Sequence, residues 1–160
     1  MVLATPNWGV ILEIGLVVLF LVAFSIIGTI FLTRSLRLNY KEVFRYHSKF
    51  DIELRKTLNL MSKKNGNGAF KEYENVVVKE LPFARKKELL TLIEAKYDEL
   101  DKNSEENAYL TETFEKLQEI RRIRDGKAII FNHQLTLFPF NLYSRIFKIK
   151  KWDLYTHQEQ

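Results

Sequence analysis

In the stretch "ETFEKLQEIRR", Glu112, Glu115 and Glu119 recur at three- and four-residue spacing, which sets three carboxylates along one face of a helix. Buried together, such carboxylates would share protons and do general acid–base work. Lys116 and Arg122 stand close by, so a solvated face of mixed charge is the expected reading. The three histidines, His47, His133 and His157, are far apart in sequence; the first two are expected to be packing or surface residues and the last to lie in a frayed tail. No Glu has a His three residues later, so the carboxylate–histidine motif of a di-metal bundle is missing. His-Glu-x-x-His, Gly-x-Gly-x-x-Gly, the phosphate-binding loop and Gly-x-Ser-x-Gly are missing as well. Without cysteine there is no disulfide, thiolate metal site or cysteine nucleophile. The chain is expected to be no enzyme and to carry no cofactor and no metal.

The elements that position these residues begin with an apolar segment, "GVILEIGLVVLFLVAFSIIGTIFLT", Gly9 to Thr33. Its one charge, Glu13, is expected to be hydrated at an interface, and eighteen uncharged residues run unbroken from Gly15 to Leu32. At 1.5 Å per residue such a helix reaches roughly 30 Å, the hydrocarbon thickness of a bilayer. No Lys or Arg precedes it, which argues for an uncleaved anchor rather than a signal peptide. Arg34, Arg37, Lys41 and Arg45 follow at once, and positive charge resists translocation. The expected organisation is a short extracytoplasmic tail at 1–8, a transmembrane helix at 9–33 and a cytoplasmic helical bundle at 34–160.

The charge is unevenly placed. Residues 34–64 hold nine Lys or Arg against three acids, whereas 65–160 hold sixteen of each. An excess of +6 beside the membrane favours anionic headgroups as its counter-charge, and nucleic acid is not expected as a partner.

Beyond Thr33 there is no proline until Pro82 and no glycine until Gly66, so the helix can continue. Leu36, Tyr40, Val43, His47, Phe50, Leu54, Leu58 and Met61 then recur every three or four residues and draw one apolar stripe. Asn65 to Gly68, "NGNG", should end this stalk. Helices are expected at about 34–64, 69–80, 82–100, 105–136 and 140–150. Pro82 should open the third, with Phe83, Leu89, Leu90, Ile93, Tyr97 and Leu100 on its apolar face. Asn103 or Ser104 should cap the fourth, with Leu110, Phe114, Leu117, Ile120, Ala128, Phe131 and Leu135 along one side. Arg124, near that stripe, is expected to snorkel past the core in preference to pairing with Asp51 or Glu53. The predicted fold is all-α: a transmembrane helix continuing into a long antiparallel three- or four-helix bundle, with a short C-terminal amphipathic helix.

That last helix belongs to "FNHQLTLFPFNLYSRIFKIKKWDLY", Phe131 to Tyr155. Phe138-Pro139 should stop the preceding helix, since proline removes a donor and pushes its predecessor out of helical geometry. Phe138, Leu142, Ile146 and Ile149 recur at helical spacing, widened by Tyr143 and Phe147, with Ser144, Arg145, Lys148 and Lys151 opposite. Packing of this apolar side onto the bundle is the expected outcome. Phe131, Asn132, Leu135, Phe138, Pro139, Asn141 and Phe147 stand in the register of a C-terminal pattern that resembles the LemA proteins of bacterial membranes. Weaker similarity extends through "AKYDELDKNSEENAYL", Ala95 to Leu110, and "FDIELRK", Phe50 to Lys56. The resemblance implies a single-pass protein of the bacterial cytoplasmic membrane, N-terminus outside, with a cytoplasmic helical bundle; it implies no reaction.

Two functions are consistent with these features. The first is a membrane-anchored scaffold or adaptor that presents the bundle to protein partners or to copies of itself. The second is anionic-lipid binding through the basic stalk and the aromatic-basic C-terminal helix. The candidate interaction surface is Arg34, Arg37, Lys41, Arg45, Tyr143, Arg145, Phe147, Lys148, Lys151 and Trp152. An up-and-down course would place the Phe138-Pro139 corner at the end of the bundle away from the bilayer, which weighs against the second reading.

Overall fold

No proline interrupts the chain between Trp8 and Asn65, and in the computed structural model these 58 residues form one helix, α1. The structure describes residues 8–65, 68–73, 76–101 and 104–156. Three further helices follow, α2 at Phe83–Asp98, α3 at Ala108–Gln134 and α4 at Phe140–Ile146, with short 3-10 turns between them. Among the described residues every regular element is helical and no strand occurs. The tail at 1–7, Gly66 and Asn67 of the expected stalk terminator, the cap candidate Asn103, and His157 lie outside the described residues.

The described residues fall into two units, one ending at Leu38 and one beginning at Asn39. In the first, α1 is long and apolar enough to cross a membrane. Leu19, Phe20, Phe24 and Phe31 are each 69% exposed, so no protein surface covers them. The hydroxyl side chains of this stretch bond within the helix. Ser25, Thr29 and Thr33 each donate a hydroxyl hydrogen bond to the carbonyl four residues back, at 2.8, 2.9 and 2.8 Å. A helix that closes its own donors in this way leaves little for water to solvate.

In the second unit the stripe on α1 becomes a core. Val43, Phe50, Leu54, Leu58 and Met61 are buried. Most of them cluster with Leu89, Leu90, Ile93 and Tyr97 of α2 and Leu110 and Leu117 of α3. Polar pairs between α1 and α3 fall in opposite order along the two helices. Asn39 bonds Gln134 at 2.6 Å, Glu42 meets Lys127 at 3.3 Å, Glu53 meets Lys116 at 3.1 Å, and Lys64 reaches Asn107, just before α3. Between α2 and α3, Glu94 accepts from Gln118 at 2.9 Å and Tyr97 stacks on Phe114 at 3.8 Å.

Three expectations need correction. The helix at 69–80 does not form: its described residues make only two 3-10 turns, Lys71–Tyr73 and Val78–Glu80. A continuous helix burying Phe70 and Tyr73 would also have turned Val77 inward at its 100° step, but Val78 is the buried valine and Val77 is exposed. The β-branched run Val76–Val78 also disfavours helix. The fourth helix begins later, at Ala108 after a 3-10 turn, and Ser104 makes no side-chain cap bond. The last helix stops at Ile146 instead of 150, because Lys148 takes a left-handed backbone with φ 51°.

Candidate functional site

Charged side chains within a helical core are the unusual feature of the second unit. Lys86 on α2 and Asp51 on α1 are both buried and paired at 2.7 Å, and the same ammonium also donates to the carbonyl of Lys79 at 3.3 Å. Removing two charges from water costs several kcal/mol per ion, which only close geometry and additional hydrogen bonds offset. His47, one turn before Asp51, lies 3.7 Å from the second carboxylate oxygen.

A second pair sits on α3. Arg124 is 1% exposed and donates to Asp125 at 2.8 Å and to the backbone carbonyl of Asp153. Its guanidinium also faces the rings of Tyr155, Trp152 and Phe83, at 4.9, 5.5 and 5.9 Å. Stacking on aromatic faces is how a weakly hydrated guanidinium remains inside a protein. The expectation that Arg124 snorkels to solvent is overturned, and it pairs with neither Asp51 nor Glu53: its own neighbour and the C-terminal segment supply the partners.

These groups hold the C-terminal segment as a strap. Asp125 accepts from the amides of Tyr155, at 3.1 Å, and Thr156, at 2.9 Å, and from the Thr156 hydroxyl at 3.0 Å. Two helical turns further along α3, Asn132 donates to the Trp152 carbonyl and accepts from the Trp152 amide, both at 2.8 Å. The Trp152 ring packs on Tyr40 and His47 of α1, at 5.4 and 5.5 Å. Tyr155 packs between Phe50 and Phe83, at 4.4 and 4.6 Å, and burial pushes its phenol well above the usual range. Trp152, expected on an outward interaction surface, is thus turned inward as part of the strap.

Burial lowers the His47 pKa; the Asp51 carboxylate opposes this, and Lys86 and Arg124 add to it. The unfolded ring titrates near 6.5 and the folded ring below that. Between those values the unfolded chain holds the additional proton, so stability rises with pH. The contribution is complete above about pH 6.5 and is lost as the pH falls through the folded pKa. Urea unfolding of the chain in detergent, followed by tryptophan emission, should therefore show a fall in stability below about pH 6.5 that His47→Gln reduces.

The remaining expected residues are distributed as follows. Phe131 and Leu135 are buried, with Phe131 edge-on to Tyr40 at 6.0 Å, and the Asn141 carboxamide oxygen accepts from the Leu142 amide at 2.6 Å. Phe138, beside Pro139, and Phe147 are exposed, Phe147 lying against Tyr143 at 4.4 Å. The expected packing of the α4 apolar side onto the bundle does not occur: Leu142 and Ile146 also face solvent. Arg34, Arg37, Lys41, Arg145, Lys148 and Lys151 are exposed, and Arg45 pairs with Glu42 at 3.2 Å. Glu112, Glu115 and Glu119 are exposed and spread along α3. Among the described residues no three His, Asp or Glu side chains gather as metal ligands do.

Sequence reasoning missed Lys86 and Asp125. Lys86 stands three, four and seven residues before Leu89, Leu90 and Ile93, so its place on the α2 apolar stripe was a readable signal. No comparable signal marks Asp125, whose partners come from a strap thirty residues on. Comparison with protein-family models, curated proteins and solved structures gives no match to this chain.

Proposed function

We propose that the chain is a single-pass membrane protein whose second unit is an antiparallel helical bundle serving as a non-catalytic scaffold on the cytoplasmic face of a bacterial membrane. The observation that carries this is α1 itself. Its apolar residues up to Phe31 are uncovered, while from Val43 onward the same helix buries a stripe in a core. One element thus anchors in lipid and organises the bundle. The opposed order of the α1–α3 pairs supports the antiparallel reading. The LemA-like register from Phe131 to Phe147 agrees with it, since Asn132 has a defined structural task in holding the strap.

The ionic cluster favours a scaffold over an enzyme. Asp51 pairs with Lys86, Arg124 pairs with Asp125, and the second pair also binds the strap; all four side chains are buried. Because the chain has no cysteine, a single cysteine at Lys87, partly exposed on α2, gives a clean topology test. An impermeant maleimide should label Lys87→Cys only after the cells are permeabilised, with the protein resisting alkaline extraction from membranes. Labelling in intact cells, or release by alkali, would overturn the assignment. In-cell crosslinking with mass spectrometry should return proteins or further copies joined to the bundle, and an absence of intermolecular crosslinks counts against the scaffold role.

A further inference from the structure

From Leu135 to Trp152 the chain holds Arg145, Lys148, Lys150 and Lys151 and no acidic residue. All four basic residues are exposed. The large apolar side chains of the same stretch also face outward: Phe138 is 82% exposed, Ile146 64%, Phe147 58% and Leu142 56%. This is not a loose end awaiting a place to pack. Before the corner, Phe131 and Leu135 are buried; after it, Asn132 grips the Trp152 backbone and Asp125 grips Tyr155 and Thr156. Pinned on both sides, the corner and α4 hold their apolar residues away from the core.

The position of the corner decides what covers it. Gln134, at the end of α3, accepts a hydrogen bond from Asn39 at 2.6 Å, and the carbonyl of Gln134 accepts from the Leu137 amide. Asn39 follows Thr33, the end of the apolar segment, by six residues. Six residues span at most roughly 20 Å even when fully extended. The corner therefore stands at the Asn39 end of the second unit and not, as the up-and-down course had it, at the opposite end.

We infer that Phe138–Lys151 docks onto the anionic surface of the bilayer that α1 crosses, with Phe138, Leu142, Ile146 and Phe147 entering the headgroup–acyl boundary and the four basic side chains meeting lipid phosphates. The inference rests on the membrane-anchored reading above. Aromatic and aliphatic residues interleaved with Lys and Arg suit that boundary. A second copy would bring the same four positive charges against these, which like-charge repulsion disfavours. The bilayer, by contrast, is complementary in charge and held nearby by the chain itself, so its effective concentration is high. Docking supplies a second attachment and restrains the bundle against its own membrane.

The test uses the full chain in lipid nanodiscs, with single spin labels introduced as Ile146→Cys, as Val18→Cys in the apolar segment, and as Thr91→Cys on α2. In discs containing phosphatidylglycerol, the Ile146 label should favour collision with oxygen over an aqueous nickel chelate, as the Val18 label does, whereas the Thr91 label should favour the chelate. Replacing Arg145, Lys148, Lys150 and Lys151 with Gln should return the Ile146 label to the Thr91 behaviour. An Ile146 label as water-accessible as Thr91 in the unaltered chain overturns docking, and spin–spin broadening at Ile146 overturns it in favour of a second copy. The Val18 label reads the anchor separately: if it too is water-accessible, the membrane reading has failed and not the docking alone.

Discussion

Lys86→Met is expected to destabilise the second unit by about 3–5 kcal/mol, because it strands the Asp51 carboxylate in the core. The native pair is close, 2.7 Å, and both side chains are buried, so water cannot replace the lost ammonium without opening the contact between α1 and α2. His47, 3.7 Å from the other carboxylate oxygen, is the nearest cation available, but burial keeps its ring neutral at pH 7. The variant should therefore recover part of its stability as the pH is lowered, when protonation of His47 supplies a cation beside the stranded charge; the wild type, with its pair intact, loses stability in the same direction. Asp51→Leu combined with Lys86→Met should cost far less than Lys86→Met alone, since an apolar pair of similar volume leaves no buried charge. Urea unfolding of the three proteins in detergent at two pH values checks all of this. A loss below about 1 kcal/mol for Lys86→Met would show that the pair behaves as an exposed one.

Such a pair was only partly legible in the sequence, for the same reason that made the core legible. Spacing of three and four residues located Val43, Phe50, Leu54, Leu58 and Met61 on one stripe, and all five are buried. Periodicity marks which positions face inward, and Lys86 and Arg124 both occupy such positions. It does not say whether a charge found there escapes to water or meets a partner, because the partner comes from another segment. For Arg124 that segment is the strap, whose return to α3 depends on the left-handed backbone at Lys148, a residue type that gives no local warning of it.

The same limit governs topology. Reading 69–80 and 82–100 together as one broken returning leg made an up-and-down course natural and sent the Phe138-Pro139 corner to the wrong end. The segment instead has 3-10 turns around Tyr73 and Val78, and α2 begins with Lys86 already beside Asp51, midway along the stripe rather than at its Met61 end. With α2 rising from there and α3 running from Lys64 to Asn39, the corner comes back to the start of the stripe. Alternation of apolar and polar positions showed α4 to be amphipathic; nothing in the alternation could tell that its apolar side has no protein opposite it.

Asp125→Ala is the other substitution expected to have a large effect, and it separates the strap from the core. The carboxylate neutralises Arg124, which is 1% exposed, and accepts the amides of Tyr155 and Thr156 together with the Thr156 hydroxyl. Losing it leaves the guanidinium with the Asp153 carbonyl and three aromatic faces, a loss of about 3–5 kcal/mol if the strap stays in place. The chain has a cheaper way out. Releasing Trp152–Thr156 lets water reach Arg124, and its cost is bounded by the burial of Trp152 and Tyr155 and the two backbone bonds to Asn132. Hydrogen exchange distinguishes the two outcomes. Release should abolish protection at the amides of Trp152, Tyr155 and Thr156 while Leu54 and Leu117 in the core keep theirs. Asp125→Asn should show a milder form, since one carboxamide oxygen still accepts from the strap but its amino group cannot pair with Arg124. Undiminished protection at Tyr155 in Asp125→Ala would mean that aromatic packing alone holds the strap, and that Asp125 is not its clasp. Because α4 is held outward by anchors on both sides, a released strap should also free the Ile146 label in nanodiscs, linking the buried ion pair to the surface that meets lipid.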